Sequence, residues 1–244
     1  MIFRISLIMT LSFTTLAEDD FWYKPKFMEH SISYLYGNTF KVGERDRELL
    51  SFDHFSVWQW GEIYAFLDYM YLDEDDDEAY FEIKPKISLS YVFNTKMELG
   101  PVKDVFWANE FNHSNLGGAE VYLTGLGVKL DVPGFKWWNM NLYFREDVKV
   151  NERGTYQFST DWCIPIDVSD RWKFEIKGFA DFAGSSGNSK HNILFSPQFL
   201  LDVGNIFSKP GKLYAGTEFI YWQNKFGIDG VDEEVWQFIV NYKF

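Results

Sequence analysis

The side chains best suited to chemistry fall along Glu62-Ile63-Tyr64-Ala65-Phe66-Leu67-Asp68, where acids and rings alternate with aliphatic residues. In an extended chain Glu62, Tyr64, Phe66 and Asp68 share one face, and Ile63, Ala65 and Leu67 the other. The same mixture recurs three times. Asp104, Phe106 and Glu110 share a face with Asn112 in the register that turns Val105, Trp107 and Phe111 away. Asn139, Asn141, Tyr143 and Arg145 line up with Asp147, and Phe179 falls beside Lys177 and Asp181. Rings stack on flat solutes, while carboxylates and amides bond to hydroxyls. As a set these residues describe a water-facing pathway for a solute, since a core filler would be apolar throughout. Taken singly, charges such as Glu82, Lys84, Lys86, Lys173, Glu175 and Lys177 have a plainer use, pairing across strands to narrow a pore.

Other groupings suggest reaction chemistry less well. His113-Ser114 and the stretch from Ser185-Ser186 to His191 hold nucleophile and base types, but catalysis needs the base within hydrogen-bond reach and a third group to orient it. These residues fall in or beside loops where Ser and His are ordinary, and no enzyme is expected. Cys163 is the single Cys, and no Cys/His spacing resembles a zinc site. No metal or cofactor is expected.

Faces of this kind require strands to hold them. Trp138, Met140, Leu142 and Phe144 alternate with Asn139, Asn141, Tyr143 and Arg145. Tyr156, Phe158, Thr160, Trp162, Ile164 and Ile166 alternate with Thr155, Gln157, Ser159, Asp161 and Cys163, and Trp172, Phe174 and Ile176 with Lys173, Glu175 and Lys177. Similar alternation runs through 81–91 and 235–244, and only a strand separates two such sets. Breakers place further strands near 30–41, 47–59, 62–72, 102–113, 119–132, 190–203 and 211–223. About twelve strands of roughly 11 residues leave around eight residues per connection, which fits an up-and-down meander.

Composition decides which solvent meets the apolar face. The 244 residues are 46% hydrophobic and 20% aromatic with a net charge of -13, yet mean hydropathy is -0.24, so apolar and polar residues are finely mixed. Disorder is excluded, and beyond the N-terminus no run approaches the roughly 18 to 20 apolar residues of a membrane-spanning helix. A sandwich or soluble barrel would bury the apolar face and seldom turns so many rings outward. A membrane barrel does, because rings settle at the water-hydrocarbon boundary. Trp138, Trp162, Trp172, Trp236, Tyr242 and Phe244 are expected at strand ends. The fold expected is therefore all-β, an antiparallel up-and-down transmembrane β-barrel of about twelve strands.

Residues 1–17 carry Arg4, an apolar stretch over 5–13 and Thr15-Leu16-Ala17 before acids, the order of a cleaved secretory signal peptide. The barrel would then occupy 18–244, in the outer membrane of a Gram-negative bacterium. An acidic exported chain lacks the basic face that nucleic acid requires. With the N-terminus periplasmic, connections near 59–61, 132–136, 167–170 and 204–210 are expected as short periplasmic turns, with 94–101 a longer exception. Those near 72–79, 113–118, 150–154, 183–189 and 224–232 should face outward. Asp73-Glu74-Asp75-Asp76-Asp77-Glu78 is read as a solvated outer loop. Its oxygens suit Ca²⁺ or Mg²⁺ bridging to lipopolysaccharide phosphates, but it lacks the Gly and spaced ligands of a calcium loop.

Gly100-Pro101-Val102-Lys103-Asp104-Val105-Phe106-Trp107-Ala108-Asn109-Glu110, preceded by Phe81-Glu82-Ile83-Lys84-Pro85-Lys86-Ile87-Ser88-Leu89-Ser90, resembles the nucleoside-specific channel-forming outer-membrane family known as Tsx and OmpK. Phe52-Asp53-His54-Phe55-Ser56-Val57-Trp58-Gln59-Trp60-Gly61 and Asp161-Trp162-Cys163-Ile164-Pro165-Ile166 extend the likeness over almost all of 18–244. The resemblance implies a narrow monomeric twelve-stranded barrel that passes nucleosides and deoxynucleosides, with outer loops usable by phages and bacteriocins as receptors. Stacking of the base would contribute about 1 to 3 kcal/mol, while transport demands weak, successive sites. A general small-solute porin, a surface receptor and a lipid-modifying enzyme are the alternatives. A final Phe closing an alternating strand also has the form read by the barrel insertion machinery. Deleting Phe244 is expected to cut the yield of membrane-assembled protein far more than one lost ring contact would; a normal yield of folded barrel would refute it.

Overall fold

In the computed structural model the described residues are 22–72, 76–115, 120–148 and 154–244. The expected signal peptide over 1–17 and residues 73–75 of the acidic run lie outside them. Twelve strands follow one another: β1 (Phe27–Gly37), β2 (Arg47–Trp58), β3 (Gly61–Tyr71), β4 (Glu78–Ser88), β5 (Val102–Ser114), β6 (Glu120–Leu130), β7 (Trp137–Asp147), β8 (Thr155–Asp167), β9 (Lys173–Ala183), β10 (Asn192–Asp202), β11 (Leu213–Gln223) and β12 (Glu233–Lys243). Two one-turn helices, α1 (Leu89–Val92) and α2 (Val203–Ile206), interrupt the connections after β4 and β10. Each strand pairs antiparallel with the next, and β1 pairs with β12 from Ser31↔Lys243 to Gly37↔Gln237, so the sheet closes. Strands of 11 to 13 residues, tilted as barrels require, are long enough to cross a hydrocarbon layer.

The register carries the alternation around the barrel without a break. One inward row runs Lys243, Ser31, Asp53, Phe66, Glu82, Asn112 and Val121 across β12 and β1 to β6. The outward rows are apolar: Leu126, Leu142, Phe144, Tyr156 and Trp236 are all more than half exposed. Two indoles on that outer face find partners there. The Trp107 indole donates to Thr124 Oγ1 at 3.0 Å and the Trp138 indole to Thr160 Oγ1 at 3.0 Å. Pairing matters because hydrocarbon offers no substitute partner.

Trp138, Trp172, Trp236, Tyr242 and Phe244 sit near strand ends, as girdle residues should. Trp162 does not: β8 runs on to Asp167, which leaves Trp162 well inside its strand, paired with Trp138 and stacked on Phe195 at 5.8 Å. Connection length also separates the two ends of the barrel less than expected. At the near end, which carries both termini, connections range from two residues (59–60) to thirteen (89–101); at the far end they range from five to nine. The helical turns α1 and α2 lengthen the near end, so connection length does not orient the barrel; the even strand count returns both termini to one side, the side that the sequence reading expects to be periplasmic. The acidic run is shorter as a loop than expected, because Glu78 already belongs to β4 and accepts from Ser114 Oγ at 2.7 Å.

Inside, among the described residues, buried apolar side chains gather in two small clusters. Leu35, Leu200, Tyr214 and Ile239 fill the lumen along the β1, β12, β11 and β10 side. Ala108, Val121, Leu123 and Tyr143 line β5 to β7. In the second cluster β6 and β7 approach closely, and a Cβ on Gly125 would lie 2.0 Å from the Leu142 carbonyl oxygen. Gly125→Val should therefore break the β6–β7 ladder and lower the fraction of folded barrel, read by the shift in gel mobility between unheated and boiled samples.

Candidate functional site

All thirteen residues singled out in the sequence turn inward. Glu62, Tyr64, Phe66 and Asp68 lie on β3, Asp104, Phe106 and Glu110 on β5, Asn139, Asn141, Tyr143 and Arg145 on β7, and Phe179 and Asp181 on β9. They do not form one site. Glu62 is held by Lys129 at 2.9 Å and Lys86 at 3.7 Å near the near end. Asp104 accepts from the Ser88 and Ser90 hydroxyls at 2.6 Å each, which anchors the start of α1; the β5 register shift between Val102 and Asp104 turns it there. Phe106 is buried beside them, and Asn139 donates to Asp161 at 2.8 Å. Arg145 lies toward the far end and donates to Gln157 at 2.5 Å. These residues build and narrow the wall.

The others gather at mid-height. On one wall Tyr64, Phe66 and Tyr80 make a ladder of rings, with centroids 6.1 and 5.9 Å apart. Acids edge it: Tyr64 donates to Asp53 at 2.6 Å, Tyr80 donates to Glu82, and Asp68 takes a hydrogen bond from Ser51. On the opposite wall Phe179 faces inward and is still 38% exposed, which means its ring borders open lumen. Its strand neighbours Lys177 and Asp181 are within electrostatic reach of Asp53 and Lys84, and Glu218 is within reach of Asp68. Phe179 is thus bracketed by two charge pairings that join its strand to the strands carrying the ring ladder. Lys84 itself lies 2.6 Å from Glu82 and 3.4 Å from Glu110. The Tyr143 hydroxyl and the side-chain oxygens of Asn112 and Asn141 are buried, with no protein partner among the described residues.

Tyr80, Asp53 and Glu218 are members that sequence reasoning missed. Asp53 and Glu218 sit on strands where polar His54 and Ser56 turn outward and aliphatic Ile220 inward, so alternation there is blurred. Tyr80 has a signal, since it keeps the parity of Glu82 and Lys84. The adjacent His113 and Ser114 point to opposite sides of the wall. Ser114 turns inward to Glu78, whereas the adjacent His113 faces outward against Phe111 at 6.3 Å.

The far mouth is tied shut on one side. Lys225, in the loop between β11 and β12, pairs with Glu233 and lies over the Trp222, Phe226 and Phe40 rings at 4.9, 5.2 and 5.7 Å. Asn224 and Phe226 hold left-handed backbone, φ 46° and 58°, to turn it inward. Burial pulls the ammonium below the ordinary lysine range, and Glu233 opposes that pull. The loop between β1 and β2 joins in, with Lys41 N donating to Glu233 at 2.8 Å and the Arg47 guanidinium 4.3 Å from the Phe40 ring. Glu233→Gln would remove the carboxylate bonded to buried Lys225 and leave only the more distant Glu78 as counter-charge. It should lower barrel stability by about 3 kcal/mol, measured as a lower guanidinium midpoint.

Comparison with known proteins agrees with the barrel fold. The family model described as nucleoside-specific channel-forming protein, Tsx, matches residues 19–194. The nucleoside-specific channel-forming protein Tsx of Escherichia coli O157:H7 is 24% identical over 222 residues, covering 77% of this chain and 74% of that protein, and the Shigella flexneri protein of the same name matches equally. Among solved structures, the KdgM porin superposes with a TM-score of 0.53 at 9% identity, covering 88% of this chain and 99% of that one. The NanC porin gives a TM-score of 0.51 at 12% identity, over 89% and 100%. At such identities the two porins share the fold.

Proposed function

The chain belongs to the nucleoside-specific channel-forming Tsx family of outer-membrane proteins, and on that premise we propose that it passes nucleosides and deoxynucleosides by selective diffusion. It is a Gram-negative outer-membrane channel protein with a porin fold. The observation that carries the finer reading is the mid-lumen pairing of a ring ladder, Tyr64, Phe66 and Tyr80, with the exposed ring of Phe179 on the other wall. In this reading a base slides between those rings while its sugar hydroxyls exchange water for Asp68, Asp181 and Glu110. Tyr143, Asn141 and Asn139 supply further polar partners toward the near end. No single one of these contacts is strong, and the neutral solute is handed from one to the next.

The charge layout supports a neutral cargo. The lumen lysines Lys84, Lys86 and Lys129 are already engaged by Glu82, Glu110 and Glu62, which leaves their charge little spare to hold a phosphate. The same reading takes residues 1–17 as an export leader and the barrel as a monomer, its far loops meeting lipopolysaccharide and its last strand being read by the insertion machinery.

Single-channel recording in planar bilayers tests the cargo. Adenosine or thymidine should block conductance saturably. Phe66→Ala should weaken that block roughly fivefold to hundredfold, the range that loss of one stacking contact implies, and Asp68→Asn should weaken it too, while the barrel still assembles in both. Conductance indifferent to millimolar nucleoside would make the protein a general small-solute pore. Unchanged block in folded variants would remove Phe66 and Asp68 from the pathway.

A further inference from the structure

Near the near end, the outer wall of β8 to β11 carries an apolar groove of about 380 Å³. Ile166, Phe174, Ile176, Phe199, Leu201 and Ala215 turn outward to line it, and they are neighbours by register: Ile166↔Phe174, Leu201↔Phe174, Phe199↔Ile176 and Leu201↔Ala215. Ala215 is the small residue that leaves the hollow, and inward-facing Gly216 beside it adds no bulk. A hollow of this shape on a surface bathed in hydrocarbon fits an acyl chain.

What closes the groove at its lower edge is chemically different. The connections 168–172 and 203–212 are locked together by the Asn205 amide, which donates to the carbonyl oxygens of Asp170 at 2.8 Å and Arg171 at 2.9 Å. Asp202 rigidifies the second connection by accepting from Asn205 N at 2.8 Å and Gly211 N at 2.7 Å. This joined platform presents exposed Arg171, Lys209 and Lys212 together with Val168 and Phe207, which are 69% and 72% exposed. Of the acids alongside, Asp202 is occupied by the turn, Glu175 turns into the lumen and is paired with Lys136 at 2.8 Å, Asp167 lies 3.9 Å from Lys173, and Asp170 lies in the first connection itself. Among the described residues, no carboxylate lies within ion-pair distance of Arg171, Lys209 or Lys212. Arg171 is instead 5.6 Å from the Trp172 ring. Cations beside exposed apolar tips, at the level where strands leave the membrane, match an anionic headgroup above its own acyl chains.

We propose that the groove and its basic platform form a binding site for a phospholipid of the periplasmic leaflet with an anionic headgroup. The phosphate sits among Arg171, Lys209 and Lys212, and one acyl chain lies along Phe174, Leu201 and Ala215. Val168 and Phe207 dip into the headgroup boundary beside it. The site is on the outer wall, so it is separate from the lumen and from any solute there.

The test is lipid retention by the purified full barrel in mild detergent, measured by native mass spectrometry with phosphatidylglycerol and phosphatidylcholine of identical chains. The expected result is one phosphatidylglycerol retained with about a tenfold to hundredfold preference, given that each of the three basic residues near an anionic surface adds up to about fivefold. Arg171→Gln with Lys209→Gln and Lys212→Gln should abolish the preference, and Ala215→Phe should fill the groove and reduce retention of both lipids. Gel mobility before and after boiling confirms that each variant is folded. Equal retention of the two lipids by the unmodified protein, or an unchanged preference in the triple variant, overturns the proposal. So does complete displacement of the lipid by inorganic phosphate, which would mark an anion site that ignores the chain.

Discussion

Hydrocarbon offers a peptide group nothing to bond to, and this condition governs the molecule. Every backbone N–H and C=O at membrane depth must find a partner inside the sheet, which permits a tube but not an open sheet. Closure of β1 on β12 meets the condition, and once the tube is closed the pleat sorts side chains into two solvents. The outer wall keeps the same discipline with its side chains. The Trp107 and Trp138 indoles, which would otherwise be stranded donors, each find a threonine hydroxyl.

The lumen obeys the opposite rule. Its groups meet water and one another, and most charges are matched in short-range pairs: Lys84 with Glu82 and Glu110, Lys129 and Lys86 with Glu62, Lys136 with Glu175. Matching ties Glu62 and Glu175 to their lysines near the end that carries both termini, while at mid-height aromatic faces, the acids around them and the free amide oxygens of Asn112 and Asn141 stay available to a solute. The apolar cluster of Leu35, Leu200, Tyr214 and Ile239 occupies one side of the bore, which pushes the open path toward β3, β4 and β9. The tied loops at the far mouth cover the same β1 and β12 side.

Much of this was legible in the chain because membrane barrels write their two solvents into alternate residues. On β3, β4, β7, β8, β9 and β12 the apolar series was uninterrupted enough to fix inside from outside, and every ring-and-acid face read from it turned inward. Reading failed where tertiary structure supplies what the residue type does not. His54 and Ser56 face outward because they bond to each other and to Trp58, and Leu49 and Leu200 face inward because they pack in the lumen. Alternation on those strands therefore looks mixed, and Asp53 and Glu218 were hidden by it. Distinguishing a structural acid such as Asp104 from one that borders open lumen requires knowing that Ser88 and Ser90 reach back to it. That information lies across a turn, beyond any periodicity.

The join between the first and last strands also sets the order of events in manufacture. Asn241 donates to Ser33 across 208 residues of chain, and Lys41 reaches Glu233 across 192. Nearly the whole chain must have been made before either contact is available, so the seam cannot close on a partial chain. Until then the nascent sheet carries two bare margins, each a template for pairing with a stranger. A polypeptide of this design cannot be half useful: cut short, it is an adhesive ribbon, and only the complete strip escapes that hazard by swallowing its own edges.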